Sequence, residues 1–257
     1  MIEARDFSPF GLGTWRMGGG SEPDYSKDEL YEGIIRESLR KGINVIDTAE
    51  MYGGGHTEEI VGKAMGDFHR EDIFLITKAW PSSYGDLRGA VERSLERLNT
   101  DYVDLYLLHW PDEKYDLKEL IGQMIRLMEE KYTRYIGVSN FNLELLRKAQ
   151  ELSGGKIFSD QIEVNISNQR MFNEIREFCT SSHILPVAYS PLNRNRMPEN
   201  TRIASKIQKS GLSVSEYSLI YTIAIGAYPI PKFSSIKHLD DLLGAINMYR
   251  NGKIRIF

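Results

Sequence analysis

The sequence holds one cysteine, Cys179, so no internal disulfide can form and a reducing compartment is expected. That thiol lies in the apolar-periodic stretch Phe172–Cys179 and is expected to be a small buried core residue. No run of Lys or Arg is long enough to make a phosphate-backbone stripe. The net charge of −4, with acids and bases interspersed, argues against a nucleic-acid partner. Long apolar runs are also missing. The longest, Leu219–Ala227, is broken by Thr222 and Gly226 and is too short to span a bilayer. Met1–Phe10 lacks the apolar core of a signal peptide, so the expected location is the cytoplasm, with no membrane partner. No G-x-G-x-x-G follows the first predicted strand, which weighs against a doubly wound dinucleotide fold. His56, His69, His183 and His238 do not pair with acids at metal-ligand spacing, and no metal is expected. Linkers and low-complexity stretches are absent, so residues 1–257 are expected to form one domain.

What is present is a beat. The chain has 41 % hydrophobic residues, enough for a substantial core, and they alternate between short β-branched runs and helical stripes. Predicted strands are Phe10–Trp15, Ile43–Asp47, Ile73–Lys78, Val103–His109, Tyr135–Ser139, Phe158–Val164, Leu185–Ser190 and Tyr228–Pro231. Met1–Phe7 reads as a small hairpin. Between the strands fall helices. The first has a capping box at Ser26–Glu29, an apolar face of Leu30, Ile34, Ile35 and Leu39, and a closing Gly42. Others cover Thr57–Met65, Asp86–Leu98, Leu117–Lys131, Asn142–Leu152, Phe172–Cys179, Arg202–Lys209, Ser213–Ile225 and Leu239–Met248. Strict βα alternation implies a parallel sheet, and eight units in this length imply a closed (β/α)8 TIM barrel.

In such a barrel the C-terminal strand ends converge on one face, where chemistry is placed. Those ends are Asp47, Lys78, His109, Ser139–Asn140, Gln161, Tyr189–Ser190 and Pro231–Lys232. The stretch Gly42–Gly62 adds Tyr52, in a glycine-rich loop five residues after Asp47. Taken singly, each residue has an ordinary reading. Asp47 could cap a turn, Lys78 could be a surface charge or Schiff-base amine, and His109 could be a core residue. Taken together they make chemical sense. A buried lysine needs a counter-ion, which Asp47 can supply. Its ammonium beside Tyr52 is expected to lower the phenol's pKa, and a neutral histidine can orient a carbonyl.

At these residues the chain strongly resembles the aldo-keto reductase family. The resemblance spans Gly11–Leu12–Gly13–Thr14–Trp15 to about Met248. It rests on INVIDTAEMYG (43–53), ITK (76–78), SLERLNTDYVDLYLLHWP (94–111), IGVSNF (136–141), YSPL (189–192) and PIPK (229–232), in that order. It implies a catalytic tetrad of Asp47, Tyr52, Lys78 and His109, with Tyr52 donating the proton in reduction of a small-molecule carbonyl. It implies NADPH as the cofactor, with NADH possible, bound without a Rossmann motif. Ser139, Asn140 and Gln161 would hold the carboxamide, and Tyr189 would stack on the nicotinamide. The backbone of Ser190–Leu192 would meet the pyrophosphate, and Lys232 the 2′-phosphate. Gly13, Thr14, Trp15, Ser234 and His238 complete the implied cofactor contacts.

Two departures from the family pattern stand out. Phe233 and His238 occupy positions where a serine and an arginine are usual, and Leu242 stands where an asparagine is common. The NADPH preference is therefore expected to be modest and to weaken as His238 loses its charge with rising pH. The loop after His109 is short, and no long C-terminal substrate loop of the kind many relatives carry is expected. An open pocket lined by Trp15, Trp80 and Trp110 is expected. Two other readings remain: a cofactor-binding regulatory subunit with weak turnover, and a Schiff-base lyase or aldolase using Lys78. The oligomeric state is not set by the sequence, and a monomer is compatible with it.

Overall fold

Eight parallel strands follow one another around a sheet in chain order. They are β1 (Leu12–Gly13), β2 (Val45–Asp47), β3 (Phe74–Ala79), β4 (Val103–Leu108), β5 (Thr133–Ser139), β6 (Ile157–Glu163), β7 (Leu185–Tyr189) and β8 (Tyr228–Pro229). The computed structural model describes residues 6–256. The sheet curls until its ends meet, with Gly11 N–H donating to Pro229 O and Gly13 N–H to Pro231 O, both at 2.9 Å. Gly13 is required by that closure, because a Cβ there would lie 2.6 Å from Ile230 O. The architecture is the (β/α)8 barrel expected from the alternation.

The helices are α1 (Asp28–Arg40), α2 (His56–Met65), α3 (Leu87–Leu98), α4 (Leu117–Glu129), α5 (Leu143–Leu152), α6 (Arg170–Ser181), α7 (Thr201–Ser210), α8 (Val214–Ala224) and α9 (Ile236–Arg250). Strand β1 is shorter than the predicted Phe10–Trp15. The chain turns away at Thr14, whose N–H and hydroxyl both go to Asp47 O, at 3.0 and 2.8 Å. Strand β8 is also short, since Pro229 and Pro231 have no N–H for a ladder.

The capping box predicted at Ser26–Glu29 does not form. Lys27 is the N-cap of α1 and makes no side-chain cap, while Ser26 N–H donates to the Asp24 carboxylate at 3.0 Å. Leu30, placed on the buried face from its spacing, is 49 % exposed. Gly42 does close the helix. Its N–H donates to Leu39 O, and Ile43 N–H donates to Ser38 O, both at 3.0 Å, the Schellman pattern. A complete capping box occurs instead at Ser213 and Glu216, opening α8. The hairpin expected over Met1–Phe7 falls mainly on residues 1–5, outside the described residues.

Two apolar layers hold the barrel. The larger lies between the helices and the outer strand faces and includes the buried Cys179. The smaller fills the interior at the N-terminal end, with Val45, Phe74, Ile76, Leu105 and Leu107 packed by Phe7, Tyr135, Phe158 and Tyr228. Phe7 meets Phe74 edge-on at 4.6 Å, and Tyr135 stacks on Phe158 at 4.5 Å. Truncating the fully buried Phe74 to alanine would cost about 3–5 kcal/mol. This plug aims the polar groups, because strand side chains alternate in direction. Two residues beyond Ile76 stands Lys78, and two beyond Leu107 stands His109. Apolar residues fill the bottom and ionisable ones reach the mouth.

Candidate active site

Asp47, at the end of β2, divides its carboxylate between two donors. Lys78 Nζ donates to Oδ1 and Gln161 Nε2 donates to Oδ2, each at 2.7 Å. Lys78 also donates to Thr48 O at 2.6 Å and reaches the Tyr52 hydroxyl at 3.4 Å. Tyr52 opens a tight turn, Tyr52–Gly55. Gly53 N–H donates to Gly20 O at 2.6 Å, and a Cβ on Gly53 would lie 2.3 Å from Gly18 O, so only glycine allows the two loops to meet. The Tyr52 ring is edge-on to His109 at 5.8 Å and tilted against Trp15 at 4.8 Å. His109 meets Trp80 edge-on at 5.1 Å. Asp47, Lys78, Tyr52 and His109 thus form one chain of neighbours, each touching the next.

Burial dominates their protonation. It raises the Asp47 carboxyl and lowers the Lys78 ammonium, and the attraction between the two opposes both shifts. His109 is pushed down to about 2 by burial and by the Lys78 charge, so the imidazole is neutral. Its Nδ1 is buried with no hydrogen-bond partner among the described residues. Tyr52 corrects an expectation. Its pKa is well above the ordinary phenol value, raised by burial, then by Asp47 and Tyr189. Burial and the Asp47 charge outweigh the Lys78 ammonium, which Asp47 and Thr48 O share. The phenol therefore keeps its proton.

A polar chain continues around the mouth. Tyr189 OH donates to Asn140 Oδ1 at 2.9 Å, and Asn140 Nδ2 donates to Ser139 Oγ at 3.0 Å and to His109 O at 3.2 Å. Ser139 Oγ donates to Gln161 O at 2.8 Å, and Gln161 leads back to Asp47. Asn140 and Ser190 both adopt positive φ, 63° and 52°, turning the chain at the strand ends.

These groups line a cavity of about 370 Å³, with Gly13, Trp15, Trp80, Trp110, Ser190 and Lys232 also on its wall. Other implied contacts are elsewhere. Thr14 and Leu192 are buried behind the wall, Ser234 is exposed outside the cavity, and His238 is half-buried away from it. Phe233 and Leu242 belong to the apolar core. The reading missed Met51, Ile230 and Arg194, which also face the cavity. Arg194 follows YSPL by two residues, and its charge was the available signal. A wider depression of about 780 Å³, between Asp101 and Tyr135 at the other end of the barrel, carries none of the strand-end groups.

Charges sort the cofactor end. Lys232 is lowered by burial and by the nearby Arg16 and Lys27 charges, and its ammonium lies 5.4 Å over the Tyr31 ring. His238 is lowered by burial, against Asp241 and Glu216, with Lys237 adding to the depression. The cations that act on Lys232 are therefore Arg16 and Lys27. One further histidine is fully engaged. His56 Nδ1 meets Glu59 at 2.7 Å and Nε2 meets Asp28 at 3.0 Å, tying α2 to α1.

Residues 9–251 match the aldo/keto reductase family. Methylglyoxal reductase YeaE of Escherichia coli is 32 % identical over 90 % of this chain and 82 % of its own. Glyoxal reductase of Bacillus subtilis is 31 % identical over 87 % of this chain and 77 % of its own. Among solved structures, the thermostable aldo-keto reductase Tm1743 superposes with a TM-score of 0.89 at 40 % identity, covering 94 % of this chain and 90 % of that one. An aldo/keto reductase from Klebsiella pneumoniae, solved with NADP and acetate, gives 0.84 at 30 % identity, covering 94 % and 86 %. The chain belongs to the aldo/keto reductase family.

Proposed function

We propose that the barrel mouth reduces small aldehydes and 2-oxoaldehydes, with Tyr52 as proton donor. The reaction class follows from the family: the chain is an NADPH-dependent oxidoreductase that converts aldehyde or ketone carbonyls to alcohols. The observation that carries the residue assignment is the Tyr52 hydroxyl, held protonated by burial, 3.4 Å from an ammonium that solvent does not reach.

The residues present suit the cofactor. Hydroxyl and amide groups of Ser139, Asn140 and Gln161 are the donors and acceptors a carboxamide requires. Tyr189 offers a flat ring beside them, and Lys232 and Arg194 bring positive charge for a phosphate tail. When bound, NADPH supplies the hydride that reaches the carbonyl carbon. Tyr52 would pass its proton to the carbonyl oxygen, and the Lys78 ammonium would then stabilise the phenolate left behind. Asp47 holds Lys78 charged and in place. Neutral His109 would orient the carbonyl without competing for the proton. The indoles of Trp15, Trp80 and Trp110 narrow the apolar entrance, which suits a small substrate. Relatives named for methylglyoxal and glyoxal point the same way.

We also place the working unit in a single barrel domain in the reducing cytoplasm, where one buried thiol needs no partner. Among the described residues no helix is long and apolar enough to cross a membrane. The test is a panel of aldehydes, 2-oxoaldehydes and ketones, with NADPH oxidation followed by absorbance. Turnover fastest on the small 2-oxoaldehydes supports the assignment. Tight NADPH binding without turnover on any carbonyl would favour a regulatory role.

A further inference from the structure

We propose that Glu50 is a positioning residue that sets the substrate wall of this pocket by fixing where Trp80 stands. The inference rests on the reductase reading of the same site. An acid two residues before Tyr52, at the lip of an apolar mouth, requires a compensating partner. It has one. Glu50 Oε1 accepts the backbone N–H of Trp80 at 2.5 Å, while the Glu50 backbone N–H donates to Lys78 O at 3.3 Å. One residue thereby ties the loop after β2 to both Lys78 and Trp80 at the end of β3.

The consequence lies in what Trp80 touches. It stands two residues after Lys78, so it extends the inward face of β3, and its indole is edge-on to His109 at 87°. The chain then makes a tight turn, Pro81–Ser83, and delivers Tyr84. That tyrosine is buried, its hydroxyl donating to Trp110 O at 2.6 Å and accepting the Trp110 N–H at 3.2 Å. The segment from Trp80 to Tyr84 therefore carries one indole wall and holds the backbone of the residue that carries the other. Glu50 fastens its leading end. Burial raises the Glu50 pKa, while the Trp80 amide, the Ser83 hydroxyl and Arg97 favour the charged form and Glu58 opposes it. Without the carboxylate, the Trp80 N–H loses its acceptor, and the wall is free to shift against His109. Neither Lys78 nor the carboxamide-binding amides lose a side-chain contact. The change falls on the carbonyl end of the pocket.

The experiment is steady-state kinetics on a small aldehyde with NADPH, paired with cofactor titration by fluorescence. Glu50→Ala should raise the KM for aldehyde about tenfold, the effect of one hydrogen bond to a charged acceptor. Its Kd for NADPH should stay within about twofold of wild type. Glu50→Gln retains an acceptor for Trp80 and should keep most of the wild-type KM. Glu50→Asp, which keeps the charge but shortens the reach, should resemble Glu50→Ala and serves where the alanine variant does not fold. In a Trp80→Ala background, Glu50→Ala should change KM no further. A wild-type KM in Glu50→Ala or Glu50→Asp, with only a lowered melting temperature, would overturn the inference and leave the reductase reading standing. So would an undiminished rise in KM once Trp80 is gone. Absence of wild-type turnover overturns the reading and this inference with it.

Discussion

Lys78 and Asp47 form an ion pair 2.7 Å long that solvent does not reach, their side chains being 0 % and 3 % exposed. Burying two charges costs several kcal/mol per ion, and a hydrophobic pair would hold the barrel at least as well. The pair makes sense through what it supports, an ammonium kept charged beside Tyr52. Lys78→Met should therefore lower stability by about 3–5 kcal/mol, because it strands the Asp47 carboxylate. Adding Asp47→Asn should recover much of that stability and none of the turnover. Thermal denaturation and NADPH oxidation on the two variants separate the effects.

Neither the proposed proton donor Tyr52 nor the carbonyl-orienting His109 titrates near neutrality. His109 lies at about 2 and Tyr52 well above the ordinary phenol value. A proton donor with a raised pKa is lost only when the pH climbs past that value. The kcat for reduction should then be flat from about pH 6 to about pH 9. A pH–rate profile with a break inside that window would mean that another group carries the proton.

Cofactor preference depends on which cation meets the 2′-phosphate. From the sequence, a titrating His238 was the expected source of pH dependence. His238 stands away from the cavity, and burial lowers its pKa below that of an ordinary imidazole. The NADPH/NADH affinity ratio should hold constant between about pH 6 and about pH 8. His238→Ala should leave the ratio within about twofold, and Lys232→Met should lower it about tenfold, the effect of one charged contact. Fluorescence titration of both cofactors at the two pH values checks all three outcomes.

His56 should make stability depend on pH. Burial pulls its pKa down, but hydrogen bonds and attraction from Glu59 and Asp28 outweigh burial and raise it. A histidine raised by folding contributes fully below its unfolded value of about 6.5 and loses that contribution as pH rises through the folded value. The Asp28→Asn variant should therefore melt a few degrees below wild type at about pH 6, with a smaller gap at about pH 9. A gap that widens with pH would reverse the assignment.

Much of the site was legible because alternation places it. Apolar runs ending in Asp47, Lys78, His109 and Ser139, with Gln161 near the end of another, need only strand periodicity and barrel closure to converge. Local signals with tertiary competitors were less readable. Ser26 and Glu29 have capping-box spacing, but Asp24 takes the Ser26 N–H and Asp28 turns to His56. The Tyr52 pKa was read with the wrong sign because spacing cannot show that Lys78 Nζ is held by Asp47 and Thr48 O, nor how little water reaches the phenol. Glu50 and Arg194 went unnoticed for a similar reason. Their roles depend on where the Trp80–Ser83 turn and the loop after β7 lie in space.

The measurement that tests the central claim most directly is single-turnover reduction of a small aldehyde by Tyr52→Phe with NADPH bound. The substitution removes one hydroxyl and leaves the ring contacts with Trp15 and His109. Cofactor affinity and the melting temperature should stay close to wild type, and the rate of reduction should fall by about two to four orders of magnitude. A near-normal rate in the variant would contradict the account, because the proton would then come from a group other than Tyr52.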